Sequence, residues 1–315
     1  MSNVSIIRLK SREEWLEIRK SGIGSSEVAT IVGLNPWETP YQLWRRKTGL
    51  DEPKQENAAM RNGHHLEDAV SRMWNDATGR EIIKRSAIDW IIRDNDRPYL
   101  QVSPDRTYWL GESRSPEAKG ILEIKTTRMK VDPEDLPKYW FAQVQYQLGV
   151  AGYSQGSLAW LSAGQGFDFG YQDLKLVPDF FEWLIDSVSR FWTDNIVGGQ
   201  EPSAVNVADV LIKYNRHTGG KIVECSEEVF SAYQDLKVVK KELDALKERK
   251  ESLEATLKMA FEDAEALSYG GETIATWKAP KPSNKFDDKA FVAEHPDLAA
   301  AYTHQVQGAR RLLLK

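Results

Sequence analysis

Three residues between positions 105 and 125 have the types and spacing for phosphodiester chemistry: Asp105, Glu123 and Lys125. The run Gly120-Ile121-Leu122-Glu123-Ile124-Lys125 alternates, so a strand there puts Leu122 and Ile124 on one face and Glu123 and Lys125 on the other. Asp105 follows Ser103-Pro104 and the short apolar run Tyr99-Leu100-Gln101-Val102, which is expected to end a neighbouring strand. If those strands pair, two carboxylates and an ammonium meet at one point. Hard oxygen donors suit Mg²⁺, and a lysine beside such an ion can orient a water and stabilise charge on a phosphoryl group. The plain alternative is a surface hairpin, because an Asp followed at a distance by Glu-x-Lys also arises by chance.

A second stretch points to anions. Ser21-Gly22-Ile23-Gly24-Ser25-Ser26-Glu27 is rich in glycine and serine and opens a helix, which turns backbone N–H groups and hydroxyls toward a ligand. Arg19, on the preceding helix, can close that site. An ordinary serine cap explains the loop equally well.

The elements that must position these residues follow from periodicity and punctuation. Ser11 caps a helix over residues 11–20, with Trp15 and Ile18 as its apolar stripe. A helix follows from Glu27 to Val32, and another from Tyr41 to Thr48, opened by Pro40 and ended by Gly49. Residues 51–57 read as a loop. Met60 to Thr78 reads as a helix with Leu66, Val70, Met73 and Trp74 inward and Gly79 as its cap. Glu67 sits beside Leu66, where a solvated glutamate is the commoner outcome and a half-buried carboxylate the functional one. His64 and His65 point about 100° apart on a helix and do not chelate well, so they read as structural or surface groups.

Glu81 to Arg93 is expected to be one strand, turned at Asp94 to Pro98. Leu136 to Val150 reads as a helix on which Gln143 and Gln147 share a face. Two strands, Ser157 to Ala163 and Phe167 to Leu176, and an amphipathic helix, Phe180 to Trp192, complete this part, which Gly198 to Pro202 closes. From Val229 the pattern changes to alternating three- and four-residue apolar steps that run to Leu267 and are broken by Lys250. A helix of that length spans roughly 60 Å. The tail is expected to hold a strand from Thr273 to Lys278, a helix from Asp287 to Tyr302, and Arg310 to Lys315.

Composition bounds the answer. With 315 residues, 41% of them hydrophobic and eleven tryptophans, the chain can bury a large core in one or two domains. A net charge of −5 argues against a blanket nucleic-acid binder. Residues 1–50, however, carry eight Lys/Arg against five Asp/Glu, which permits a local basic groove. The single cysteine, Cys225, excludes an intrachain disulfide framework and an all-cysteine iron–sulfur or zinc site. There is no apolar run near eighteen residues and no signal-peptide pattern, so the expectation is a cytoplasmic protein without a membrane span. No Gly-x4-Gly-Lys-Ser/Thr phosphate loop is present, so no ATP motor is recognisable.

Six pieces in order resemble one family: Arg19 with Ser21 to Glu27, Gly33-Leu34-Asn35-Pro36-Trp37, Arg61 to Glu67, Ser103-Pro104-Asp105, Leu122 to Lys125, and Gln143 to Tyr146. Together they resemble the YqaJ-type viral recombinases, relatives of phage lambda exonuclease, over roughly residues 10–205. Less specifically, Thr276-Trp277-Lys278 through Arg310-Arg311 resembles the tails of that family.

The resemblance implies an α/β restriction-endonuclease-like core, a mixed central sheet flanked by helices, that degrades linear duplex DNA 5′→3′. It implies Mg²⁺ as the cofactor, with Mn²⁺ as a substitute, a partner single-strand annealing protein, and a homo-oligomer, a closed trimer in the family. Carried residue by residue, it makes Asp105, Glu123 and the Ile124 carbonyl metal ligands and has Lys125 activate the attacking water. Glu67 and Gln143 complete the metal and water shell, and Arg19 with Ser26 holds a 5′-phosphate. Arg106 departs from the pattern, since many members carry Gly after the Asp. The long heptad helix is an addition. The expected layout is therefore a catalytic core over 1–205, a connection over 206–228, a long helix or coiled coil over 229–267, and a small α+β tail over 268–315. Other RecB-like nucleases of the same core, and a non-enzymatic DNA-binding or scaffold protein built on the heptad helix, are the rival readings.

Overall fold

The computed structural model describes residues 3–52, 57–83, 90–115, 118–164, 166–305 and 308–314. The chain divides into two compact units, Met1–Lys213 and Tyr214–Lys315.

The first unit opens with strand β1 (Val4–Arg8) and helix α1 (Arg12–Lys20), whose N-cap Ser11 accepts from the Glu14 N–H. Helices α2 (Ser25–Ile31) and α3 (Pro40–Lys47) follow; Thr39 and Gln42 form a reciprocal capping box at the start of α3. Helix α4 (Ala58–Thr78) ends at Gly79, whose φ of 65° is the left-handed conformation that glycine adopts without penalty. Of its expected inward residues, Val70 and Trp74 are fully buried, but Met73 is 39% exposed. The inward stripe is narrower than the apolar pattern because Met73 falls toward the solvent edge.

Next come β2 (Ile82–Ile83), β3 (Trp90–Asp94), β4 (Gln101–Val102), β5 (Arg106–Trp109) and β6 (Lys119–Thr127). Helix α5 (Lys138–Ala151) crosses over to β7 (Gln155–Ser162), and β8 (Asp168–Lys175) leads to helix α6 (Pro178–Arg190). A π-helical stretch, Phe191–Val197, extends α6, and Trp44 Nε1 donates to the Asn195 carbonyl within it at 3.0 Å. Helix α7 (Val207–Lys213) docks through Asp209, which is fully buried and accepts from Thr39 Oγ1 at 2.9 Å.

The main sheet is mixed, in the order β2-β5-β6-β7-β8, with β6 and β7 parallel and the other pairs antiparallel. A smaller antiparallel sheet has the order β1-β3-β4. This corrects two expectations. The span Glu81 to Arg93 is not one strand: β2 and β3 lie in different sheets, and residues 84–89 fall outside the described residues. The run Tyr99 to Val102 does not pair beside Glu123 either. It belongs to the smaller sheet, and Asp105 reaches the site from the start of β5, which pairs with β6 through Arg106↔Leu122.

The period of two along β6 sorts its side chains as the alternation predicts. Leu122 and Ile124 join Val70 and Trp74 of α4 in one cluster, with Tyr108, Ala159 and Leu161. Ile121 joins the larger cluster with Ala142, Val144 and Leu148 of α5. Glu123 and Lys125 therefore face α5.

In the second unit, helix α8 (Glu227–Phe261) is capped by Ser226 and followed by the hairpin β9 (Ala266–Tyr269) and β10 (Glu272–Thr276). The helix stops six residues before the expected Leu267. Glu262 turns at φ 48° and Phe261 is buried against Trp277, so Leu267 pairs in a strand instead. The expected helix Asp287 to Tyr302 is two, α9 (Asp288–Glu294) and α10 (Pro296–Tyr302). Pro296 has no N–H to continue the ladder and bars His295 from helical geometry.

Candidate active site

Glu123 is the hub of the site. It is 2% exposed, and a buried carboxylate must be matched by donors. Lys125 Nζ donates to its Oε1 at 2.6 Å and Gln147 Nε2 to its Oε2 at 2.7 Å, while Gln143 Nε2 also donates to Oε1. Lys125 Nζ in turn donates to Gln143 Oε1 at 2.9 Å. Gln143 and Gln147 are one turn apart on α5, which is why both reach one carboxylate. Gln147 Nε2 also reaches Ser25 Oγ at 3.2 Å, tying Glu123 to the start of α2.

Asp105 is half-buried and accepts from the Ile124 backbone N–H at 2.7 Å. Its carboxyl is pushed well above the usual range by burial, then by the charges of Glu123 and Glu67, against the pull of Lys125. Glu67 is raised by burial as well, and Glu123 adds to the shift while His64 and Arg106 oppose it. Burial disfavours the Lys125 ammonium, but Glu123 and Asp105 override it and hold its pKa above the ordinary value. The site thus concentrates carboxylates that repel one another around one half-buried ammonium.

Arg106 does not disturb the turn. It is the first residue of β5, and its guanidinium spans to Asp68 at 2.5 Å and to Glu67 at 3.8 Å, pinning α4 against the sheet.

Whether these residues suit a hard divalent cation is answered by their chemistry. Every candidate ligand is an oxygen; burial first, and then the charges of neighbouring carboxylates, lift Asp105 and Glu67, and a dication relieves that crowding of negative charge. Among the described residues, no three His, Cys, Asp or Glu side chains form a metal-holding group by themselves. The set that fits is the pair Asp105 and Glu123 with the Ile124 backbone, and Glu67 alongside.

The second stretch is organised by a buried carboxylate too. Glu27 is 5% exposed; its Oε2 accepts from the Gly24 N–H at 2.9 Å and lies 2.9 Å from Lys47 Nζ. Arg46 approaches it at 3.2 Å and Arg19 at 3.7 Å. Burial alone would raise its pKa, but Lys47, Arg19 and Arg46 bring it down to about 2. Lys47 also donates to the Arg19 and Gly22 carbonyls at 2.9 and 2.6 Å, so it staples the loop into shape. Arg19 packs on the Trp15 ring at 4.6 Å and donates to Ser26 Oγ at 3.1 Å. A Cβ on Gly24 would stand 2.4 Å from Arg19 Nη2, so only glycine lets the guanidinium lie there. Helix α2 has only seven residues, so the positive field comes from these side chains more than from its dipole.

A cleft of about 350 Å³ joins the two halves. Ser26, Trp37, Lys125, Tyr139 and Gln143 are among the residues that line it. Of the side chains named from the sequence, Ser26, Lys125 and Gln143 line this cleft; Arg19 touches it through Ser26 and Glu123 through Lys125 and Gln143, while Asp105 and Glu67 are not part of its lining. Sequence reasoning missed the roles of Gln147, Ser25, Glu27, Lys47 and Arg46. The spacing of Gln143 and Gln147 was a usable signal for the first. Nothing local marks the cations that surround Glu27, because α3 is brought to it only by the fold.

Residues 14–154 match the model of the YqaJ-like viral recombinase domain. The protein YqaJ of Bacillus subtilis, described as uncharacterized, is 30% identical over 299 residues, 91% of this chain and 89% of its own. Among solved structures, an alkaline exonuclease of Laribacter hongkongensis is 16% identical and aligns over 59% of this chain and 93% of its own at a TM-score of 0.47. A phage-related exonuclease of Haemophilus somnus is 11% identical, over 57% and 96%, at 0.40. Among the described residues, no helix is long and apolar enough to cross a membrane.

Proposed function

Since the chain belongs to the YqaJ-like viral recombinase family, we propose that it is a Mg²⁺-dependent deoxyribonuclease that degrades linear duplex DNA from 5′ ends. Its product is the single strand that a partner annealing protein takes up in phage-type recombination. The observation that carries this reading is that Lys125 and Ser26 line one cleft. A reactive lysine and an Arg–Ser pair suited to phosphate then face the same substrate.

Asp105 and Glu123, with the Ile124 carbonyl, would hold Mg²⁺, whose chemistry there is to neutralise charge building on the scissile phosphoryl group. Gln147 and Gln143 fix the Glu123 carboxylate in position, and Ser25 fixes Gln147. Lys125 uses two of its three N–H donors on Glu123 and Gln143, which leaves one for a water or a phosphoryl oxygen. Arg19 and Ser26 receive the terminal phosphate, the guanidinium by two parallel hydrogen bonds and the serine by its hydroxyl.

The direct test is digestion of linear and covalently closed duplex with and without Mg²⁺. Loss of linear duplex alone, and only with Mg²⁺, is the expected result; cleavage of closed circles would overturn the exonuclease reading.

A second outcome concerns the end itself. Duplexes with a 5′-phosphate should be degraded faster than matched 5′-hydroxyl duplexes, and Arg19→Ala should narrow that difference. Arg19→Lys should not restore it, because an ammonium cannot make the paired contact. Equal rates on both ends in wild type would refute the phosphate assignment without touching the metal site. Arg19 would then only balance Glu27, from which it stands 3.7 Å away.

A further inference from the structure

Helix α8 runs 35 residues, or about 50 Å, and its apolar seam is not covered by the other described elements of its own unit. Seven large seam side chains between Val229 and Leu257 are 43% to 61% exposed. With Val229 as the first a position, Leu236, Leu243 and Leu257 fall at a, Val239, Leu246 and Leu253 at d, and Lys250 at a.

The flanking charges say what covers that seam. The g positions Asp235, Glu242 and Arg249 are each followed five residues later, at e, by Lys240, Lys247 and Glu254. All three pairs are of opposite sign. Residues five apart lie about 140° round a helix and do not touch, so the match serves nothing within one chain. Across a parallel, in-register pair of helices, g and the following e of the partner are neighbours, and six attractive contacts form. The antiparallel registers that keep the seam covered each set like charges together, as in Lys240 against Lys247. Lys250 at a faces its own copy in the parallel register, a polar position that costs stability and limits sliding. We infer that α8 forms a parallel, in-register coiled coil with the same helix of a second copy of this chain.

The test uses full-length protein with the exposed Cys225 changed to serine and Leu246→Cys at a d position. In a parallel, in-register pair the two new cysteines face each other and mild oxidation links the chains. Reversing the g charges (Asp235→Lys, Glu242→Lys, Arg249→Glu) should lower the linked fraction at least about tenfold, since attraction becomes repulsion at every pair. Reversing the e charges (Lys240→Glu, Lys247→Glu, Glu254→Lys) should do the same, and mixing the two reversed proteins should restore linkage. The readout is local to the helix, so assembly through another surface does not mimic it. Absence of linkage in the Leu246→Cys protein, or linkage indifferent to the reversals, overturns the inference.

Discussion

Lys125→Met is expected to slow digestion of linear duplex at least ~10²-fold while the protein stays folded and still responds to Mg²⁺. The magnitude follows from what one preorganised charge at a developing negative charge contributes to catalysis. Lys125 is held by Glu123 at 2.6 Å and Gln143 at 2.9 Å, so its ammonium is positioned before substrate arrives. Methionine keeps the stem and removes the charge. The carboxylates are untouched, so Mg²⁺ should still raise the melting temperature, as any ligand selective for the folded state does. Asp105→Asn and Glu123→Gln should lose both the cleavage and most of that Mg²⁺-dependent rise. Near wild-type digestion by Lys125→Met would sink the mechanism. A full Mg²⁺ response in both carboxylate variants would sink the ligand assignment instead.

The second large effect is on stability and lies away from the metal. Glu27→Gln should cost about 3–5 kcal/mol, the usual penalty for removing one partner of a buried ion pair. The stranded partner is Lys47, whose side chain is 5% exposed and whose pKa is already lowered by burial and by Arg19 and Arg46. In a unit of this size such a loss lowers the melting temperature by on the order of 10 °C. The double variant Glu27→Gln with Lys47→Met should recover part of it, because no charge is then left unpaired.

The pH dependence has a defined sign. The Glu27 carboxyl is held at about 2, below its unfolded value, so its contribution is complete above the unfolded pKa. It drains as pH falls from about 4.5 toward 2. Acid unfolding of the Glu27→Gln protein should therefore be shallower in that window than wild type, as followed by circular dichroism. Equal stability of Glu27→Gln and wild type at pH 7 would mean that Lys47 finds another partner.

Much of the local structure was legible. Ser11 accepts from the Glu14 backbone N–H, and Gly79 ends its helix with a left-handed φ, because capping is settled within a few residues. The alternation in β6 placed Glu123 and Lys125 together on one face for the same reason. Long-range pairing was not legible. Tyr99 to Val102 reads as a strand equally well in either sheet, and only the packing of β3 and β4 sends it to the smaller one, leaving Asp105 to reach the site from the bend just before β5.

The sequence by itself determined which groups could do chemistry here: two carboxylates, a lysine, two glutamines one turn apart, and an arginine preceding a serine-rich loop. These depend on residue type and on periods of 2 and 3.6, which any short segment expresses alone. Only the tertiary structure decided that Gln147 clamps Glu123, that α3 delivers Lys47 and Arg46 to Glu27, and that Lys125 and Ser26 share a cleft. Those contacts join residues 19 to 99 positions apart, and their geometry is set by how α2, α3 and α5 pack on the sheet. A buried charge accepts only partners that packing brings within reach, so the constellation is a property of the fold and not of any stretch of chain.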